Sequence, residues 1–175
     1  MKNILLNRYL STESFLVSRQ QKEALNGQKA FVIWLTGLPG SGKSTIARNL
    51  EVSLFQAGIC TLILDGDNTR ISINRDLDFS TEGRHENIRR VAEIAKLLKD
   101  AGIVVITAFI SPFKDDREMA HRIIGEECFA EVFVDATLDV CMERDAKGLY
   151  QNAINENYLI LQGLAVRMKL RSIHR

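Results

Sequence analysis

Three groups of residues in this 175-residue chain have types and spacings suited to chemistry on phosphate. The first is Gly37-Leu38-Pro39-Gly40-Ser41-Gly42-Lys43-Ser44, followed by Thr45, which fits G-x-x-x-x-G-K-[ST]. Glycines there let successive backbone N–H groups curl toward phosphate oxygens, and a following helix adds partial positive charge. Lys43 would reach the outer phosphates and the Ser44 hydroxyl would ligate Mg²⁺. The pattern implies a nucleoside triphosphate and leaves the phosphate acceptor open. The second group begins with Asp65-Gly66-Asp67-Asn68. Its two carboxylates could hold a magnesium water shell or take a proton from an attacking hydroxyl; the same residues also suit an ordinary turn. Arg70, Arg75, Arg84, Arg89 and Arg90 follow, and arginine offers bidentate contacts to phosphate or sulfate. Arg84 and Asn87 share one helix face. Glu86 beside Arg89 and Arg90 reads equally as surface ion pairing, and His85 as exposed and incidental. The third group is Ala108-Phe109-Ile110-Ser111-Pro112-Phe113. Ser111 suits either a ligand hydrogen bond or a helix cap. Phe109 and Ile110 suit the core or an apolar wall for a base.

These residues need elements that bring them together. Phe31–Thr36, Thr61–Asp65, Val104–Ile110 and Glu131–Asp135 are β-branched and almost continuously apolar, as expected of strands covered on both faces. Between them, Ser44–Ala57, Glu82–Ala101, Asp115–Glu126 and Leu138–Arg144 read as helices. Gly58 and Gly102 sit where helices should end. Alternating strands and helices predict an α/β fold with a parallel sheet and right-handed crossovers. In such sheets ligands bind beyond the carboxyl ends of the strands. Gly37–Ser44, Asp65–Asn68, Ile110–Pro112 and Asp135–Thr137 all follow strand ends, so one crevice should collect them. Residues 1–28 read as an N-terminal arm with a short helix near Ser18–Leu25, and residues 29–175 as a single domain. The basic segment Arg144–Tyr150 suits a lid, near residues 144–160, or a plain surface loop.

Composition narrows the classes. The length fits about one domain, and 46% hydrophobic with 26% charged residues is ordinary for a globular protein. A net charge of +1 gives no broad basic field, which argues against nucleic acid as the main partner. No apolar run reaches the ~18 residues of a membrane span. The N-terminus lacks a secretory cleavage pattern. Cys60, Cys128 and Cys141 are widely spaced, which fits a reducing cytoplasm and small buried hydrophobes rather than disulfides or zinc.

Taken together, Gly37–Ser44, Asp65-Gly66-Asp67-Asn68-x-Arg70, Asn74-Arg75-Asp76-Leu77, Phe79-Ser80, Glu86-Asn87-Ile88-Arg89-Arg90-Val91, Ala108–Pro112 and Asp145-x-Lys147-Gly148-Leu149-Tyr150 resemble adenylylsulfate kinase. The order and spacing hold from about Val17 to Tyr150. The resemblance implies a P-loop kinase three-layer sandwich. It further implies ATP-dependent phosphorylation of the 3′-hydroxyl of adenosine 5′-phosphosulfate in sulfate activation, with Mg²⁺. It assigns ATP to Gly37–Thr45 and Arg144. Asp65 would be the base, with Lys43 and Ser111 also catalytic, and Asp67 with Ser44 would support the metal. Asp67, Arg70, Phe79, Arg84, Asn87, Ile110, Ser111, Lys147 and Leu149 would hold the acceptor. The family is often assigned a phosphoserine at the Ser111 position. Homodimers are common in it, and the resemblance leaves a homodimer and a functional link to an ATP sulfurylase as open expectations. Departures are Ile71-Ser72-Ile73 where the family has His-Gly-Leu, Ala146 for a proline, and a tail after Tyr150 that lacks the family's Asn-Phe-Thr-Gly stretch and ends basic. Tyr158 is a candidate replacement ring. Two other readings stay open: a kinase for another small hydroxyl acceptor, and a nucleotide-binding subunit impaired in catalysis.

Overall fold

The computed structural model describes residues 11, 13–145 and 148–155, side chains 153–155 excepted. Helix α1 (Arg19–Asn26) opens the described fold, with Ser18 and Gln21 capping each other reciprocally. Then β1 (Val32–Thr36), α2 (Lys43–Gln56), β2 (Thr61–Asp65), α3 (Gly66–Arg70), α4 (Thr81–Asp100) and β3 (Val104–Ala108) follow. The chain continues through α5 (Lys114–Ile124), a 3₁₀ turn, β4 (Phe129–Phe133), α6 (Leu138–Arg144) and α7 (Leu149–Asn155). The sheet order is β2-β3-β1-β4, with every pairing parallel. The parallel α/β sandwich expected from the sequence is therefore present.

The alternation of strand side chains builds two cores. Val32, Trp34, Leu64 and Val105 face α4 and α5, where Ile88, Val91, Ala92, Ala95, Ala120 and Ile124 meet them. Leu35 and Ile106 face the other way, onto Ala47 of α2. Val32, Leu35, Val105 and Ile106 are at most 1% exposed. Each such side chain is worth roughly 1.5–3 kcal/mol of burial. These strands are the rigid floor from whose carboxyl ends the site loops rise.

Three boundaries differ from expectation for identifiable reasons. β3 stops at Ala108, although Phe109 N–H still donates to Leu35. Beyond it Ser111 takes φ 41° and Pro112 has no N–H, so the ladder cannot continue. β4 starts at Phe129 and ends at Phe133 rather than Asp135. The Asp65–Asn68 stretch is neither loop nor simple turn: Asp65 caps the short helix α3 by accepting from Asp67 N–H. Gly58 and Gly102 end their helices at positive φ as anticipated.

Residues 18–28 are tied down. Lys22 Nζ donates to the Asp100 carbonyl, and Asn26 and Gln28 donate to the carbonyl of Gly102. Cys60 is exposed and Cys128 half-buried, so only Cys141 behaves as the small buried hydrophobe expected of all three.

Candidate active site

The P-loop emerges from β1 and returns as α2. Gly37, Gly40 and Gly42 all have positive φ. At Gly40 the requirement is also spatial: a Cβ there would lie 2.9 Å from the Cys141 carbonyl oxygen. Gly42 begins α2 without any side-chain cap. The first-turn N–H groups are thus left to a ligand's phosphate oxygens. Lys43 is buried, and its Nζ donates to the carbonyls of Gly37 at 2.9 Å and Leu38 at 2.7 Å. Gly37 and Leu38 act here through their carbonyls, while Pro39–Thr45 line the cleft.

Asp65, at the end of β2, faces that loop. Its Oδ2 accepts from Ser44 Oγ at 2.7 Å and its Oδ1 from Asp67 N–H at 3.0 Å. A carboxylate oxygen pair has about four lone-pair sites, so Asp65 can accept a further proton donor. Asp67 is exposed on α3 at the cleft rim. Among the described residues no three His, Cys, Asp or Glu side chains cluster to form a metal cage. A hydroxyl and one or two carboxylates, all hard oxygen donors, suit Mg²⁺ shared with phosphates rather than a cage. In the structure a carboxylate that touches the Ser44 hydroxyl is that of Asp65.

One cleft of about 1290 Å³ runs from the P-loop to the arginine segment. It is larger than the ~300–1,000 Å³ typical of a single small-molecule site, and so has room for two nucleotides. Asp65, Asp67, Arg70, Phe79, Arg84, Asn87, Ile110, Ser111, Arg144 and Leu149 all line it. Lys147 and Tyr158 lie outside the described residues, as do 1–10 and the tail beyond 155.

At the far end two guanidiniums lie close to one ring. Arg70 Cζ is 4.3 Å from the Phe79 ring centroid and Arg84 Cζ 5.6 Å. Backbone carbonyls hold both: Arg70 donates to Leu77 and Asp78, and Arg84 Nε to Phe79. Loss of water lowers the pKa of Arg70. The same desolvation, then repulsion from Arg70, lowers that of Arg84. Two partly desolvated cations side by side form a site that an anion would relieve.

Arg89 and Arg90 do not join them. Both bond Glu86, and Arg90 makes a bidentate pair with Asp76 at 2.8 Å on each branch. Of their two readings, ion pairing prevails, and it ties the 71–80 turn to α4. His85 is exposed but not incidental: its Nδ1 is 2.6 Å from Oδ1 of Asp116, a carboxylate 3% exposed that also lines the cleft. Sequence reasoning missed Asp116 because an acid in the first turn of a helix is ordinary.

Ser111 caps nothing. Phe113 occupies the cap position of α5, without a side-chain capping bond. The Ser111 hydroxyl, in a residue 2% exposed, accepts from Trp34 Nε1 at 3.1 Å. Its carbonyl accepts from Arg117 at 2.7 Å. Phe109 stacks on Trp34 at 5.9 Å and is both core and cleft wall.

α6 and α7 close the P-loop from above. Tyr150 Oη donates to the Pro39 carbonyl at 2.8 Å, and burial pushes its pKa up. Asp145 accepts from the N–H groups of Tyr150 and Gln151, which caps α7. Arg144 reaches the Ser41 carbonyl at 3.5 Å.

Known proteins resemble this chain over most of its length. The sequence model of the Adenylylsulphate kinase family matches residues 29–169, beyond Tyr150, where the quoted motifs end. The bifunctional enzyme NodQ of Rhizobium tropici is 54% identical over 149 residues, 85% of this chain but 24% of NodQ. The adenylyl-sulfate kinase of Thermodesulfovibrio yellowstonii is 51% identical over 148 residues, 85% of this chain and 74% of that protein. Among solved structures, the Mycobacterium tuberculosis APS kinase CysC in complex with AMPPNP and APS superposes with a TM-score of 0.71. It is 42% identical, with 74% of this chain and 76% of that one covered.

Proposed function

The chain belongs to the adenylylsulphate kinase family, and from that premise we propose that it transfers the γ-phosphoryl group of ATP to the 3′-hydroxyl of adenosine 5′-phosphosulfate. The products are 3′-phosphoadenosine 5′-phosphosulfate and ADP. The observation that carries the reading is the Arg70–Phe79–Arg84 clamp, opposite the P-loop in one cleft. A phosphosulfate is a dianion on an aromatic nucleoside. Paired guanidiniums beside a ring offer charge and a stacking face together.

The mechanism is positioning plus charge stabilisation. The P-loop N–H groups and Lys43 hold the triphosphate. Lys43 Nζ, which donates to the Gly37 and Leu38 carbonyls and to Ser41 Oγ, would exchange such partners for phosphate oxygens. Asp65 accepts the proton of the attacking hydroxyl, from a position fixed by its bonds to Ser44 and Asp67. Ser44, Asp65 and Asp67 would hold Mg²⁺, which when bound neutralises charge on the phosphate oxygens. Arg70, Arg84 and Asn87 hold the phosphosulfate. Phe79 and Ile110 face the adenine, and Ser111 braces the wall through Trp34. Arg144 and Leu149 line the lid side of the cleft.

An enzyme that makes adenosine 5′-phosphosulfate, such as an ATP sulfurylase, is the supply this reading requires. The cytoplasm is the compartment it favours, supported by three free cysteines. No helix among the described residues is long and apolar enough to cross a membrane. The test is an ATP-coupled assay with adenosine 5′-phosphosulfate on the purified chain, with Lys43→Ala as control. Turnover that vanishes in the variant is expected. Tight acceptor binding without wild-type turnover would instead make the chain a binding subunit. Turnover only with other alcohols would overturn the acceptor.

A further inference from the structure

Asn74 is fully buried and takes no part in the mechanism above. It sits in the turn between α3 and α4. Its N–H donates to the Thr69 carbonyl at 2.8 Å, and its carbonyl accepts from Leu77 at 3.1 Å. Those bonds shape the turn and do not involve its side chain. The side-chain amide makes one bond to a described residue: Nδ2 donates to Asn87 Oδ1 at 3.0 Å. Its own Oδ1 has no hydrogen-bond partner among the described residues. A buried amide that satisfies one end only is unusual and calls for a reason. Asn87, its partner, is 5% exposed and lines the cleft beside Arg84.

An asparagine side chain has two ends of opposite character, a carbonyl that accepts and an amino group that donates. The two differ little in shape, so packing alone does not choose between them. Next to an anion the choice is decisive: the amino end attracts phosphate or sulfate oxygens and the carbonyl end repels them. Asn74 spends its donor on the Asn87 carbonyl, which leaves the Asn87 amino end for the cleft. We propose that Asn74 is a positioning residue that fixes the polarity of Asn87, and through it the preference of this end of the cleft for an anionic acceptor. The inference rests on the sulfonucleotide reading of the acceptor.

Asn74→Asp tests it, because the change keeps the shape and turns the donor into an acceptor. The introduced carboxylate would accept from the Asn87 amino group and turn the Asn87 carbonyl toward the ligand. The KM for adenosine 5′-phosphosulfate should rise about tenfold or more, the loss expected of a hydrogen bond to a charged group. The KM for ATP should stay within about twofold, since Asn74 shares no partner with the P-loop. In an Asn87→Ala background the same substitution should leave the acceptor KM unmoved. If the aspartate variant fails to fold, Asn74→Ser replaces it, with a smaller rise that also disappears in the Asn87→Ala background. An unchanged acceptor KM, or an equal rise in both backgrounds, overturns the inference while wild-type turnover keeps the acceptor reading intact. A wild-type chain that neither binds nor turns over the acceptor fails both.

Discussion

Asp65 combines two jobs in one carboxylate. It caps α3 through Oδ1 and holds Ser44 through Oδ2. Asp65→Asn keeps a carbonyl oxygen for the cap but loses an acceptor that can take a proton. Turnover should fall by about 10² or more, the scale of lost general-base catalysis. The KM for the acceptor should change much less, and steady-state kinetics on the purified variant separates the two. Equal turnover with weaker binding would make Asp65 a binding residue only. At this scale the sequence was informative about residue type and poor about partners. Asp65, Arg70, Arg84 and Asn87 could be named from their order along the chain. That Arg70 and Arg84 share the Phe79 ring could not, because the ring lies on a turn whose path depends on Asn74 and on the Arg90–Asp76 pair.

The elements were legible wherever hydrophobic patterning was strong. Buried parallel strands are continuous apolar runs, and β1 and β3 are such runs; β2, at the sheet edge, is as apolar in its middle but only partly buried, against the expectation that both its faces are covered. The short helix α3 was not legible, because Asp, Gly and Asn are favoured turn residues and only the Asp65 cap makes them helical. The junction of α6 with the P-loop was equally hidden, since it depends on a close approach between distant segments. That approach gives a prediction. Gly40→Ala would force a non-glycine residue to φ 74° and place a methyl group 2.9 Å from the Cys141 carbonyl oxygen. The conformational part alone costs about 1–2 kcal/mol. A lower melting temperature and a raised KM for ATP are expected, with the acceptor KM little changed. A variant with wild-type melting and ATP affinity would show that α6 yields freely and is no part of the nucleotide wall.

Across the whole molecule, charge binds the acceptor side to the core helix. Hydrogen bonds from Arg89, then Arg90, hold the Glu86 carboxyl down at about 2, from an ordinary 4.5. A carboxyl whose folded pKa is depressed favours the folded state once ionised. Its contribution is present above about 4.5 and is lost as pH falls through about 2. The group is partly exposed, so solvent screens the effect. Melting temperature should therefore fall across that acid window more steeply in the wild type than in Glu86→Gln. A parallel fall in both would show that other carboxylates govern acid unfolding. The division of labour is clear at this scale: the sheet supplies the floor, α2 the donor end, and the α3–α4 connection the acceptor end.

Trp34 has a further use. It is the chain's one tryptophan. Its ring is shut away from solvent, bonded to Ser111 and stacked on Phe109, and both of those residues line the cleft. Any motion of the acceptor wall must pass through the surroundings of a single indole. The protein thus carries its own optical probe, with no second tryptophan to blur the signal. Adding adenosine 5′-phosphosulfate should change tryptophan emission in a saturable way, whereas ADP alone, held at the other end, should change it far less. Equal responses to both nucleotides would mean that the two ends of the cleft move as one.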